Sequence, residues 1–185
     1  MSVKGWCPGA WRPMMSGDGL IMRIRPRLAH LTQDQALGLC ALSQTHGNGI
    51  IDLTSRANLQ MRGIKEHDHH TVLTALQTLD LLDPTPEQEA KRNIVTTPLW
   101  QDEDLTTRLH AAILAALPQM SALPAKMGIA LDTGPQPILQ STSADFRFER
   151  SATSLILRAD GAPKGKAITE ADAPQALLDL AHWFV

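Results

Sequence analysis

Hydrophobic and polar positions alternate along the segment LTSRANLQMRGI, as they do in a strand that buries one face. Leu59 and Met61 lie on one side of this predicted strand. The other side carries Asn58, Gln60 and Arg62, and the segment contains no carboxylate. The sequence therefore predicts a half-buried strand whose second face is rich in hydrogen-bond donors.

A second segment, GLIMRIR, alternates in the same way and is stopped by Pro26. Met22 and Ile24 fall on one face of this predicted strand, and Arg23 and Arg25 fall on the other. If the two strands pair in one sheet, their donor-rich sides converge. We call this predicted surface the polar face, and its members are Arg23, Arg25, Asn58, Gln60 and Arg62.

The segments around these strands predict the rest of the first fold unit. LTQDQALGLCALSQTHGNG predicts a helix with Thr32 as its N-cap and Gly47 as its C-terminal stop. The positions expected on its apolar side are Ala36, Leu39, Cys40 and Ser43. GIIDLT predicts another strand, and HDHHTVLTALQTLDLL has the period of a second helix. The order β-α-β-β-α is most of a ferredoxin-like unit, whose usual last strand is absent or supplied later.

A domain boundary is predicted in DPTPEQEAKRN, where prolines and charges interrupt the hydrophobic pattern, and it divides the chain into residues 1–84 and 85–185. DEDLTTRLHAAILAALP then predicts an amphipathic helix. KMGIALD, ADFRFER and SLILRAD predict strands, and TEADAPQALLDLAHWFV predicts a closing helix with Pro174 in its first turn. The predicted fold class is α+β, with a ferredoxin-like half-domain followed by a smaller α/β domain.

Composition narrows the class of protein. A chain of 185 residues that is 43% hydrophobic can bury a core in one domain or two small ones. No apolar run approaches the roughly 20 residues of a membrane span, and no signal peptide is recognisable, so we expect a cytoplasmic protein that does not contact a membrane. Cys7 and Cys40 are too few for a disulfide framework or for an iron-sulfur cluster bound by this chain alone.

Charge is distributed unevenly along the chain. Residues 1–65 contain eight Lys or Arg against three Asp, a balance of +5, whereas the remainder has nine basic and sixteen acidic residues, a balance of −7. This asymmetry favours an anionic ligand on the first segment, although scatter over a solvated surface would give the same count. No motif indicates a nucleic acid as the partner.

The polar face suits a polycarboxylate, because the guanidinium group of arginine can bind a carboxylate through two parallel hydrogen bonds. The alternative interpretation is the ordinary solvated side of an antiparallel sheet. In EHDHH, His67 and His70 have the spacing to share a metal ion on a helix, but no third ligand accompanies them, so a polar helix start is the simpler interpretation and no metal site is predicted.

GLIMRIR followed by LTSRANLQMRGI resembles the signature of the sulfite/nitrite reductase ferredoxin-like half-domain. The resemblance implies that this sheet holds the carboxylates of a tetrapyrrole, through Arg23, Arg25, Arg56, Asn58, Gln60 and Arg62. KRNIV resembles the segment that supplies a substrate-facing arginine, which matches Arg92. LPAKMGIALD resembles a segment with two lysines, of which Lys126 matches the first and Gly128 replaces the second, and this departure weighs against sulfite or nitrite reduction.

Within this superfamily, the chain resembles the precorrin-3B synthase family through GWCPGAWRPMMSGDGLIMRIRP, HGNGIIDLTSRANLQMRGI and ADFRFER. The resemblance implies an oxidoreductase of cobalamin biosynthesis, a monooxygenase that hydroxylates precorrin-3A with dioxygen and closes a lactone. It implies a 4Fe-4S cluster and a non-haem iron in the complete enzyme, with the four cluster cysteines in a second half.

The partner of this chain is then either an identical copy, as a homodimer, or a cysteine-bearing second half, without which we expect no activity. Two alternatives stay open. The chain is a sulfite or nitrite reductase fragment that binds siroheme, or it is a non-catalytic tetrapyrrole-binding subunit.

Overall fold

The computed structural model describes residues 7–185, which form two compact units. The first unit ends at Ala90 and the second begins at Lys91. This division lies a few residues after the predicted domain boundary between 84 and 85, which stays a prediction. Helices and strands both contribute to each unit, which confirms the predicted α+β class.

The first unit is an antiparallel sheet with helices packed against it. Its elements are the strands β1 (Met14–Ser16), β2 (Gly19–Ile24), β3 (Ile51–Leu53) and β4 (Leu59–Ile64), and the helices α1 (Gln33–His46), α2 (His69–Thr78) and α3 (Pro86–Lys91). The sheet has the order β1-β2-β4-β3. The predicted order β-α-β-β-α is therefore confirmed, by β2, α1, β3, β4 and α2.

β1 occupies the position beside β2 where the ferredoxin-like motif usually has its last strand. This strand precedes β2 in sequence and pairs with it antiparallel, with Met15 opposite Leu20. In the described part of the chain no strand after α2 joins this sheet, so the usual last strand is absent, which was one of the two expectations. β1 fills this place at the edge of the sheet. It can do so because two antiparallel strands that are neighbours in sequence need only a short turn to connect them.

Helix α1 begins and ends where the sequence predicts. The Thr32 side chain accepts a hydrogen bond from the Gln35 backbone, and the Gln35 side chain accepts one from the Thr32 backbone, which is a capping box. The helix ends at Gly47. Leu39 is buried as predicted, but Cys40 is exposed, because Ser43 rather than Cys40 completes the buried stripe.

The core of the first unit lies between the sheet and the helices. β2 and β4 contribute Met22, Ile24, Met61 and Ile64, none of which is accessible to solvent, and α2 packs Val72 and Leu76 against them. The predicted division of both strands into an apolar and a polar face is therefore confirmed. The donor-rich side faces away from this core.

The second unit is a mixed sheet covered by two helices. Its elements are the strands β5 (Ile94–Thr96), β6 (Ile129–Asp132), β7 (Phe146–Arg150), β8 (Leu155–Ala159) and β9 (Lys166–Ile168), and the helices α4 (Leu105–Ala116) and α5 (Ala173–Phe184). The strands lie in the sheet in the order in which they occur in the sequence. β5, β6 and β7 run parallel to one another, and β8 runs antiparallel to both of its neighbours, β7 and β9. All three predicted strands and both predicted helices are present, whereas β5 and β9 were not predicted.

The core of the second unit joins α4 and α5 to the sheet through Leu109, Ile113, Leu131, Phe148 and Leu177, which are fully buried. Pro174 lies in the first turn of α5, as predicted. Over residues 7–185, no helix combines the length and the apolar character that crossing a membrane requires.

Candidate functional site

Three polar side chains form a row across the first sheet. Arg23 on β2 lies opposite Gln60 on β4, and Gln60 lies opposite Asp52 on β3. Arg23 Nη2 donates to Gln60 Oε1 at 3.3 Å, and Gln60 Nε2 donates to Asp52 Oδ2 at 3.3 Å. We call these three residues the cross-strand row. It brings Arg23 and Gln60 together as predicted and adds a carboxylate that the strand pattern did not indicate.

Arg62 joins the cross-strand row through two carboxylates. Its Nη1 lies 3.4 Å from Asp52 Oδ2, and its Nε lies 3.4 Å from Asp18 Oδ2. Asn48 also donates to Asp18 Oδ2, at 2.8 Å. The strand segment itself contains no carboxylate, but acids from other segments lie beside it in the folded sheet. Sequence alternation assigns each residue to a face of its own strand, but these carboxylates come from β3 and from the turn between β1 and β2.

The acidic neighbours shift the protonation equilibria of this surface. Burial acts to raise the pKa of Asp18, but the hydrogen bond from Arg62 and bonds from Ser16 and its own backbone outweigh burial and lower that pKa. The hydrogen bond to Asp18 is the largest influence that raises the pKa of Arg62. Both groups therefore stay charged near neutral pH, and the ion pair persists there.

Arg23 has a buried donor without an acceptor, and unlike Arg25 it is paired with no carboxylate within residues 7–185. Its Nε is inaccessible to solvent and makes no hydrogen bond within the described part of the chain. Its one hydrogen bond in the cross-strand row uses Nη2 and an uncharged amide. Leaving a buried donor unsatisfied costs roughly 1–3 kcal/mol, so an acceptor placed at this atom would be stabilising.

Arg25 directly follows β2 and is buried beside an acid. Its Nη1 is 3.5 Å from Glu89 Oε1, and both side chains are only 8% exposed. The notion of Arg25 as an open member of the polar face is thereby corrected. A charge buried at this depth needs a partner of opposite sign, and α3 supplies it.

Glu89 is a site residue that sequence reasoning missed. Its carboxylate accepts hydrogen bonds from the backbone N–H groups of Ala10, at 2.7 Å, and Trp11, at 3.2 Å. Burial raises the pKa of Glu89 above its ordinary value, against the opposing effects of Arg25 and the two N–H groups. Glu89 lies in the charged segment DPTPEQEAKRN, which is typical of a solvent-exposed connection. A search for the partner that a buried Arg25 requires could have indicated it.

The two remaining predicted members of the first unit lie near the cross-strand row. Asn58 is buried at the start of β4, and its backbone N–H donates to the Thr54 side chain at 3.1 Å. Arg56 is half-buried in the turn that connects β3 to β4. Both are placed at the same sheet as Arg23, Gln60 and Arg62, and their assignment to ligand binding stays a prediction.

Arg92 and Lys126 belong to the second unit, and each lies shortly before the first residue of a strand of its sheet. Arg92 is buried just before β5, and Lys126 is exposed in the turn before β6. Because β5 and β6 run parallel with Ile94 opposite Ile129, both residues precede the same end of the two strands. The structure places both residues at the same end of β5 and β6, and their catalytic role stays a prediction.

Gly128 stands where the resembling family has a second lysine. A Cβ atom added there would lie 3.1 Å from Asn93 Nδ2 and 3.3 Å from Asn93 O. Asn93 Nδ2 donates to Met127 O at 2.9 Å, and Asn93 O accepts from Ile129 N. A larger side chain at this position would therefore crowd the connection between β5 and β6.

Residues 7–185 contain no group of three or more His, Cys, Asp or Glu that could hold a metal ion. Cys7 is half-buried and Cys40 is exposed, and two thiols fall short of the four that ligate a 4Fe-4S cluster. Of the histidines in EHDHH, His69 contacts the Ala10 carbonyl at 2.9 Å and His67 is exposed. These residues do not fit an iron-sulfur cluster held by this chain alone.

The sheet that carries the cross-strand row lies within a segment that matches a family model. Residues 12–79 match the family model of the nitrite/sulfite reductase ferredoxin-like half domain. The predicted family resemblance is confirmed. The half domain includes the whole cross-strand row, Arg62 and Asp18, and it excludes Glu89, Arg92 and Lys126.

Two curated proteins match most of the chain. A precorrin-3B synthase of a Sinorhizobium species is 28% identical over 153 residues, which are 81% of this chain and 33% of that protein. A ferredoxin-nitrite reductase of Synechococcus elongatus is 27% identical over 155 residues, which are 77% of this chain and 30% of that protein. The chain therefore spans about a third of the length of these relatives.

A solved structure shares the fold. The Mycobacterium tuberculosis NirA protein superposes with a TM-score of 0.63 at 16% sequence identity, and the match covers 89% of this chain and 34% of that chain. At this level of identity, the similarity shows the fold of the half domain and of the residues that follow it.

Proposed function

We propose that this chain binds the carboxylates of a tetrapyrrole through the half domain and is one part of a precorrin-3B synthase-like oxidoreductase of cobalamin biosynthesis. The match to a precorrin-3B synthase over most of the chain supports this family of enzymes. The complete enzyme would hydroxylate precorrin-3A with dioxygen and form a lactone. A cysteine-bearing second half would supply the ligands of the 4Fe-4S cluster.

One observation carries the proposal for binding: within residues 7–185 the buried Nε of Arg23 has no acceptor, while its Nη2 and the other two side chains of the cross-strand row are hydrogen-bonded. A ligand carboxylate is a strong acceptor for a guanidinium, and charge-assisted hydrogen bonds of this kind are about twice as strong as neutral ones. Arg62 stands two residues from Gln60 on the same face of β4 and would bind a second carboxylate. A macrocycle with several acetate and propionate groups offers both.

Arg92 and Lys126 are proposed to act on the reacting part of the tetrapyrrole, and the support is the resemblance of KRNIV and LPAKMGIALD to the segments that supply such residues. Their guanidinium and ammonium groups would orient negative charge on the substrate. A non-haem iron would supply the oxygen chemistry of the complete enzyme.

Siroheme is the second candidate ligand, because a ferredoxin-nitrite reductase matches 77% of this chain. Gly128 argues against a reductase, since Asn93 occupies the space beside it and no second lysine is present. A non-catalytic tetrapyrrole-binding subunit would use the same face of the half domain. Binding followed by an assay of oxygen-dependent turnover separates these candidates, because such a subunit binds without turnover and a reductase fragment prefers siroheme.

The binding test is a titration of the purified chain with uroporphyrin, a porphyrin with eight carboxylates, and separately with siroheme. Arg23→Gln and Arg62→Gln should each weaken binding by one to two orders of magnitude, because a lost charge-assisted contact costs roughly 1.5–3 kcal/mol. Arg25→Ala should destabilise the fold instead, because it leaves Glu89 buried without its partner.

Arg27→Gln is the matched control. Arg27 lies in the same unit, is 43% exposed and pairs with Asp80 at 2.8 Å, away from the cross-strand row. It removes the same charge as Arg23→Gln, so general attraction of a polyanion falls equally in both variants. Equal weakening by all three arginine variants would show that the half domain has no specific carboxylate site.

A further inference from the structure

Asp52 is the carboxylate in the cross-strand row, and neither the resemblance nor the relatives assign it a role. We propose that Asp52 is a positioning residue that holds Gln60 and Arg62 in the orientation needed to receive a ligand carboxylate. The inference rests on the proposed function, since it concerns the same face of the half domain.

The first support is that one oxygen of Asp52 accepts from both side chains. Gln60 Nε2 donates to Asp52 Oδ2 at 3.3 Å, and Arg62 Nη1 donates to the same atom at 3.4 Å. The two donors stand on the same face of β4, and Asp52 lies on the neighbouring strand β3. A single carboxylate therefore couples two side chains that would otherwise move separately.

The second support is the order that this contact imposes on Gln60. With its Nε2 bound to Asp52, the amide oxygen of Gln60 points to Arg23 Nη2. An amide whose donor is held in this way cannot rotate by 180° without losing both hydrogen bonds. Asp52 thus fixes Gln60, and Gln60 in turn contacts the arginine whose Nε awaits an acceptor.

The third support is exposure. The side chains of Asp52 and Arg62 are 42% and 31% exposed, so neither is held by packing alone. Long exposed side chains keep their rotamer freedom unless a contact removes it, and binding a ligand then has to restrict them. Asp52 removes part of that freedom before a ligand arrives.

A competing role for Asp52 predicts the opposite result. If its carboxylate only occupied the place of a ligand carboxylate at Arg62, removing its charge would tighten binding. Asp18 also bonds Arg62, through Nε, but within residues 7–185 it makes no contact with Gln60, so only Asp52 couples the two side chains there. The sign of the change in affinity therefore separates positioning from competition.

The test compares Asp52→Asn and Asp52→Ala with the wild-type chain in titrations with uroporphyrin. We expect Asp52→Asn to weaken binding about fivefold to tenfold, because the amide still accepts one hydrogen bond but no longer attracts Arg62, and Asp52→Ala to weaken it further. The partial rescue by asparagine distinguishes a lost contact from a general disturbance of β3.

Asp80→Asn is the matched control for these variants. Asp80 is also a carboxylate paired with an arginine in the first unit, at 2.8 Å from Arg27, and its positive φ of 54° is one that asparagine tolerates. It changes the net charge by the same amount as Asp52→Asn, so general electrostatic attraction rises equally. We expect its affinity for uroporphyrin to equal or slightly exceed that of the wild type.

A second readout needs no ligand. In ¹⁵N NMR spectra, the side-chain amide of Gln60, which donates to Asp52, should exchange faster with water in Asp52→Asn than in Asp80→Asn. Unchanged exchange, or tighter binding of uroporphyrin by Asp52→Asn than by Asp80→Asn, would overturn the positioning role. If the wild-type chain fails to bind either tetrapyrrole, the proposed function fails, and the exchange rates alone then decide whether Asp52 orders this side chain.

Discussion

At the scale of single residues, the buried Glu89 depends on the absence of a side chain at Gly9. The backbone of Ala10 and Trp11 donates to the Glu89 carboxylate, and the Gly9 carbonyl accepts from the backbone of Arg23. A Cβ atom at position 9 would lie 2.1 Å from Glu89 Oε2. Any larger residue there would have to displace the carboxylate that partners Arg25.

We therefore expect Gly9→Ala to destabilise the first unit by roughly 1–3 kcal/mol, the usual cost of forcing a buried group aside. The measurement is urea denaturation followed by the Nε1–H resonance of Trp11, which donates to the Asp83 carbonyl in the same unit. Gly17→Ala is the control, because a Cβ atom at Gly17 meets nothing within 4 Å. Equal stability of the two variants would show that Glu89 moves without cost.

At the scale of elements, the hairpin of β7 and β8 is joined by an ion pair with two parallel hydrogen bonds. Arg158 Nε lies 2.8 Å from Glu149 Oε2, and Arg158 Nη2 lies 2.5 Å from Glu149 Oε1. The hydrogen bonds from Arg158, the largest influence, hold the pKa of Glu149 below its ordinary value of 4.5. The lowered pKa means that the folded chain favours the charged carboxylate.

This shift fixes the sign of a pH dependence. A carboxyl with a lowered pKa in the folded chain contributes stability above its ordinary pKa and loses it as the pH falls through the folded pKa. The stability difference between wild type and Arg158→Gln should therefore shrink from about pH 6 to about pH 3. Urea denaturation followed by the backbone amide of Phe148 measures it. Arg150→Gln, at the end of β7, is the control and should leave the pH dependence of stability unchanged. A stability difference for Arg158→Gln that stays constant with pH would contradict the expectation.

At the scale of the whole molecule, the first sheet ends in two short edge strands, β1 and β3. Neither strand contains the lysine or proline that commonly protects a sheet edge, and Met15 on β1 is 47% exposed. A two-fold pairing centred on β3 would place Asp52 opposite its own copy, which is unfavourable. A pairing centred on β1 would place Met15 opposite Met15 without a charge.

We propose that the chain forms a two-fold dimer through β1, since closed two-fold contacts are the commonest in homo-oligomers. Light scattering behind size exclusion, over a series of concentrations, should give a mass approaching twice that of one chain. Met15→Lys should dissociate the dimer, whereas Leu53→Lys on β3 should not. A mass that stays at one chain at the highest concentration would favour a separate cysteine-bearing partner instead.

The sequence by itself determined which residues share a face and where the elements of the half domain lie. Alternation placed Met22 and Ile24 opposite Arg23, and capping residues fixed the ends of α1. These features follow from local chemistry, because the periods of strands and helices and the capping of a helix depend on residues within one or two turns. The strand β1 was not predicted, because its residues MMS include none of the β-branched or aromatic types that are typical of strands.

Only the tertiary structure decided which groups meet the arginines. Asp52 reaches Gln60 and Arg62 through the register of β3 on β4, and Glu89 reaches Arg25 from a helix more than sixty residues along the chain. Periodicity states the side of a strand on which a charge lies, but not what stands across from it, because that depends on strand register and on how distant segments pack. The fold therefore decides which acids pair with the arginines of the donor-rich strands. It also decides that the Nε of Arg23 has no acceptor within residues 7–185.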